Sequence, residues 1–166
     1  MKIKLLSAIL LLAFVAITSS CRRDTVVADN LSYLPFESQC LGTSLDGNVR
    51  IKAWGSGATR GDAIENAKRN ALRDVIFNGV KLGNPACQRP LTYQVNAHER
   101  HEMYFNRFFA DGGEYTQYAT LEDETLTSRT KAKGDVQQNY GVVVTVKRAN
   151  LQQKLINDGI INPYNY

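Results

Sequence analysis

An alternating strand followed at once by a helix of small residues constrains this chain more than any other feature. In Val49-Arg-Ile-Lys-Ala-Trp54, Val49, Ile51 and Ala53 share one face, and Arg50 and Lys52 take the other. A period of two marks a half-buried strand. Gly55-Ser-Gly57 ends it. Thr59 then reads as a helix N-cap, with Asp62 three residues on as a variant capping box. Asp62 and Glu65 occupy the first turn, where the helix dipole favours acidic groups. Glu65 and Arg69 have the spacing of an i,i+4 ion pair. Ala63, Ile64, Ala67, Ala71, Leu72, Val75 and Ile76 make one apolar stripe, whose alanines permit close approach to a sheet. Asn78-Gly79 supplies the stop. A strand over 49–57 and a helix over about 60–78 are therefore expected.

The elements that follow are read in the same way. Leu91–Ala97 (LTYQVNA) suits a second strand. Residues 99–109 form a helical or irregular aromatic segment. Thr120–Lys133 is polar and Thr-rich and reads as a strand with an exposed face. Tyr140–Lys147 (YGVVVTVK) is β-branched on both faces, as a central strand requires. Asn150–Asp158 is a short last helix with Leu151 and Leu155 facing inward, ended by Gly159. The expected fold class is α+β. A long Ala-rich helix and a short C-terminal helix pack on a mainly antiparallel sheet in a two-layer sandwich. Residues 49–160 form one domain, preceded by a tether and lead-in over 21–48 and followed by a tail over 161–166. Within the lead-in, Leu31–Phe36 is apolar enough to dock on the domain.

The N-terminus indicates export. Lys2 and Lys4 precede an apolar run from Leu5 to Ile17, interrupted by Ser7. That is too short to span a bilayer and right for a signal peptide over residues 1–20. Ser19-Ser20-Cys21 resembles a bacterial lipobox, although Thr18 stands where that pattern usually has Leu. The resemblance implies lipidation at Cys21. Roughly 146 of the 166 residues remain after cleavage, the size of one domain. Lys2 and Lys4 account for two of the four net positive charges. With no dense basic cluster left, nucleic acid is not an expected partner.

Cys40 and Cys87 remain in an oxidising compartment, which invites a disulfide. The strand runs out for roughly 30 Å and the helix returns by about as much. Cys40 lies just before the strand and Cys87 just after the helix, so both fall at one end of the unit.

The Gly-x-Gly strand end and the helix Asp62-Ala-Ile-Glu-Asn-Ala-Lys-Arg-Asn-Ala-Leu-Arg-Asp74 resemble the LPP20-like lipoproteins and the N-terminal domain of the flagellar assembly protein T. Residues 128–133 and 140–147 match the polar and Val-rich strands that follow there. The resemblance covers roughly 49–80 and 120–155. It implies a non-catalytic envelope lipoprotein that is part of a multi-protein assembly, and transfers no catalytic residues.

Few constellations suggest chemistry. Gly55-x-Gly57-x-x-x-Gly61 joins a strand to a helix N-terminus, where anions bind. A tight turn needing positive φ accounts for it more simply. His98 and His101 could share a metal with Glu102, but the spacing is that of neither zincin motif. Glu122-Asp-Glu124 reads as an exposed strand edge. Neither a cofactor nor a metal is expected, and no enzyme activity. The excess lies in Tyr104, Phe105, Phe108, Phe109, Tyr115 and Tyr118. Aromatics anchor interfaces, so the first five are candidate partner-binding residues. Completion of the core is the competing role. The expected function is that of a periplasm-facing outer-membrane lipoprotein. It holds to the membrane through its lipid and acts as a structural or assembly adaptor for an envelope protein. The alternative is a small-ligand or glycan module using residues 104–118. Oligomeric state is not legible.

Overall fold

A computed structural model of the chain describes residues 36–122, 130–133 and 138–162. The expected signal peptide and Cys21 lie outside them. The fold is α+β, with helices on one face of a six-stranded, mostly antiparallel sheet.

Strand β2 (Val49–Gly57) buries alternate residues as its sequence predicts. Its full length pairs antiparallel with β6 (Gln138–Val146), from Val49 opposite Val146 to Gly57 opposite Gln138. Val142, Val144 and Val146 of β6 face the helices and are buried. The strand expected over 120–133 is seen as two pieces, β4 (Ala119–Leu121) and β5 (Thr130–Lys133). Both pair with β6 on the same edge.

The sheet also begins before residue 49. Residues placed in the lead-in form β1 (Gln39–Thr43), antiparallel to β2, with β3 (Leu82–Gly83) parallel to β1 beyond it. A register shift between Cys40 and Gly42 breaks the alternation of β1, which is why the sequence does not announce it. Gly47, at φ 77°, closes the β1–β2 hairpin.

Helix α1 (Arg60–Arg73) starts at the Thr59 capping box. Thr59 Oγ1 accepts from the Asp62 N–H, and the Asp62 carboxylate accepts from the Thr59 N–H. A π turn, Asp74–Asn78, continues it to Gly79, which adopts φ 69°. Ala63, Ala67 and Ala71 are fully buried against the sheet. Beyond the end of β1, Asn66 and Asn70 donate to the carbonyls of Ser56 and Trp54. These two side chains take the place of a neighbouring strand on that stretch of β2.

Leu91–Ala97 is not a strand. Leu91 and Thr92 spend their N–H groups on the Val75 and Ile76 carbonyls, which the end of α1 leaves without helical partners. The segment is a loop that caps α1, with Asn96 in the left-handed region (φ 57°). Helices α2 (Ala97–Arg100) and α3 (Glu102–Phe108) follow, which settles the ambiguous aromatic segment as helical. Helix α4 (Arg148–Asn157) buries Leu151 and Leu155 as expected. Ile161, assigned to the tail, is buried in the core beside Ile160, because the turn at Gly159 folds the chain back onto Leu155.

Cys40 and Cys87 form a disulfide, with Cα atoms 6.0 Å apart. It ties β1 to the short 3₁₀ turn Pro85–Cys87.

Candidate functional site

The aromatic side chains expected to bind a partner are largely core. Phe105, Phe108, Phe109 and Tyr115 are buried, and Tyr104 is half-buried. Phe105 meets Phe77 edge-on at 4.9 Å, and Phe108 meets Phe109 edge-on at 5.0 Å. The sheet needs this packing: helix α1 with its alanine stripe is too thin and too short in side chains to cover it alone. These rings present no surface to a protein or glycan, so the partner-binding assignment is corrected for all four buried residues.

The exposed apolar side chains of the loop over 91–97 and of α3 are others. Tyr93 is 60% exposed, Val95 81% and Met103 89%. Sequence reading missed all three, and the reasons differ. Leu91, Tyr93, Val95 and Ala97 alternate as a strand would, yet only Leu91 and Ala97 are buried, since the segment is a loop. Met103 carried a usable signal. Phe105, Phe108 and Phe109 occupy one helical face, and Met103 falls off it.

Three shallow cavities surround this loop, with volumes of about 260, 610 and 500 Å³. Gln94 lines all three. Its Oε1 is buried without a hydrogen-bond partner. Arg100 and His101 line the second cavity, and Arg73, His98 and Glu99 the third.

Two polar clusters tie residues 104–115 to α1 and to the end of α4. Tyr115 donates to Glu65 at 2.8 Å, and Lys68 pairs with Glu65 at 2.7 Å. Arg69 does not pair with Glu65 as its spacing suggested. It lies over the Tyr115 ring and pairs with Asp111. Burial pushes the Glu65 carboxyl up, but its bonds to Lys68 and Tyr115 and the nearby cations outweigh this and hold it below the usual value. In the second cluster Tyr104 donates to Asp158 at 2.7 Å, while Lys154 bridges Glu114 and Asp158 at 2.9 and 3.0 Å. Glu114 and Asp158 together push the Lys154 ammonium up to about 12. Burial and the bond to Asp158 raise the Tyr104 phenol. Every charge in these clusters faces an opposite one, the arrangement of a structural tie.

The remaining motifs resolve locally. None of Gly55, Gly57 and Gly61 has positive φ, so the tight-turn account is corrected. Gly55 and Gly57 are required because the helix backbone lies against them. At the helix N-terminus the Asp62 carboxylate already accepts from the Thr59 N–H and hydroxyl. His98 stacks on Phe105 and meets Phe77 edge-on. Among the described residues no three His, Cys, Asp or Glu side chains are grouped to hold a metal ion. Glu122 pairs with Arg50 at 2.6 Å on the sheet, and residues 123 and 124 lie outside the description.

Compared with models of protein families, with curated proteins and with solved structures, the chain matches none.

Proposed function

We propose that the mature chain is a non-enzymatic, lipid-anchored cell-envelope protein. It works as a structural or assembly adaptor through protein contacts, on the periplasmic face of the outer membrane. The observation that carries the adaptor role is the exposure of Tyr93 and Val95 in the loop after the π turn and of Met103 on α3. Tyr and Met are enriched at protein interfaces, and Tyr93 also lines one of the shallow cavities. The apolar run before Cys21 and the Cys40–Cys87 disulfide support an exported chain. The resemblance to LPP20-like lipoproteins points the same way.

The test is mild cross-linking in cells, followed by pull-down of the tagged protein from solubilised envelopes. A stoichiometric partner is expected, lost in Met103→Asp and Val95→Asp without a fall in melting temperature. Cys21→Ala releases the protein from the membrane. A monomer with no partner sinks the adaptor role.

A second reading is a small-ligand or glycan module, and Gln94 favours it. Its buried, unpartnered Oε1 would accept a ligand N–H or O–H, with the exposed Tyr93 ring beside it. Titration with peptidoglycan fragments separates the two readings, since Gln94→Leu abolishes ligand binding and leaves a protein partner bound.

A further inference from the structure

The side of the sheet opposite the helices has its own chemistry. Arg50, Lys52, Trp54 and Ser56 of β2 lie on it, since Val49, Ile51, Ala53, Gly55 and Gly57 point to the core. Trp54 spreads flat here. A Cβ on Gly141, its cross-strand neighbour, would lie 3.0–3.1 Å from the indole ring, so glycine leaves the room the ring occupies. Lys52 Nζ sits 5.7 Å from the indole centroid. Phe36 packs on Trp54 with ring centroids 4.9 Å apart. Phe36 is 38% exposed, and Leu41, the bulged residue of β1, is 39% exposed. Among the described residues the helices pack on the other side of the sheet. Arg50 is paired with Glu122 on this face, so Lys52 is the cation beside the rings. An indole, a phenyl ring, an exposed leucine and a lysine are groups that settle at a lipid headgroup boundary.

Chain geometry points to the same surface. Phe36, the first described residue, already lies on Trp54. Fifteen residues separate it from Cys21, a reach of at most about 50 Å when fully extended. The chain that runs to the lipid at Cys21 thus joins the described domain at this face. An acyl anchor gains strength from a second membrane contact, and exposed rings beside a cation are one such contact.

We propose that the Phe36–Leu41–Lys52–Trp54 face lies on the membrane surface, its rings at the headgroup boundary and the Lys52 ammonium on an anionic headgroup. This rests on the lipidation of Cys21.

Trp54 is the only tryptophan of the chain and reports its own position. The lipidated full-length protein is reconstituted in phosphatidylcholine vesicles containing phosphatidylglycerol, with and without bromine on the acyl chains. The bromines are expected to quench Trp54 emission about twofold, because groups docked in this way lie ~5–10 Å into the headgroup–acyl boundary. Leu41→Glu and Lys52→Glu, each checked for native near-UV circular dichroism, are expected to abolish the quenching. Vesicles without phosphatidylglycerol are expected to weaken it. Co-flotation without quenching overturns the membrane-facing surface and leaves the lipoprotein reading standing. Quenching that persists in both variants overturns the assignment to these side chains. Failure to float with the vesicles overturns the anchor and this inference together.

Discussion

Replacing Gly55 by alanine adds one methyl group at the tightest contact between helix and sheet. A Cβ there would stand 2.1 Å from the Ala63 carbonyl oxygen and 2.3 Å from the Ala67 nitrogen. Both are backbone atoms, so no rotamer change relieves the clash. Ordinary contact begins near 3.4 Å, and the helix must withdraw by more than 1 Å. Withdrawal loosens Ala63, Ala67 and Ala71 against Ala53 and the β6 valines, all now buried. Overpacking in a core costs about 1–3 kcal/mol, and a clash with fixed backbone belongs at the upper end. A loss of about 3 kcal/mol corresponds to a melting temperature lower by roughly 10 °C for a domain of this size. Gly61→Ala is the paired control. Gly61 is in the first turn of α1, where an added Cβ meets only Thr59 Oγ1 at 3.6 Å. That substitution is expected to stabilise by about 0.4–1 kcal/mol, because alanine loses less backbone entropy on folding. Urea titrations followed by Trp54 emission and far-UV circular dichroism measure both. A Gly55→Ala protein within 0.5 kcal/mol of wild type would refute the close packing of α1 on β2.

Three further outcomes follow from the same structure. Reducing Cys40–Cys87 opens a loop with 47 residues of separation, and stability in urea should fall by about 4 kcal/mol in the chain-entropy picture. Phe108→Ala should cost about 3–5 kcal/mol, because the ring is 1% exposed; a stable variant that merely loses a partner would return Phe108 to the surface. Glu65 is held below its usual value in the folded protein, so its stabilising share is complete above the unfolded pKa and lost as pH falls through the folded one. Glu65→Gln should therefore flatten the acid limb of stability against pH below 4.5, read by thermal melts across that range.

Local pattern alone determined the strand over 49–57, the helix from Thr59 to Gly79, the Val-rich central strand and the inward Leu151 and Leu155. Each is a periodic run with its own start or stop, and such signals act between near neighbours. The disulfide was legible for a related reason: strand and helix rise place Cys40 and Cys87 at one end of a single β-α unit. The tertiary structure decided what local pattern leaves degenerate. LTYQVNA alternates like a strand, but the partners of Leu91 and Thr92 are the Val75 and Ile76 carbonyls of the π turn after α1, which no local pattern announces. Phe105, Phe108, Phe109 and Tyr115 are apolar enough for either a core or an interface. They went inside because an alanine-lined helix leaves the sheet uncovered, a volume requirement that appears only when the layers meet. Gly55 and Gly57 looked like a phosphate loop or a turn, and proved to be the floor on which the helix backbone rests. Whether a side chain faces core, partner or membrane depends on what stands opposite it, and that neighbour is set by the folded chain.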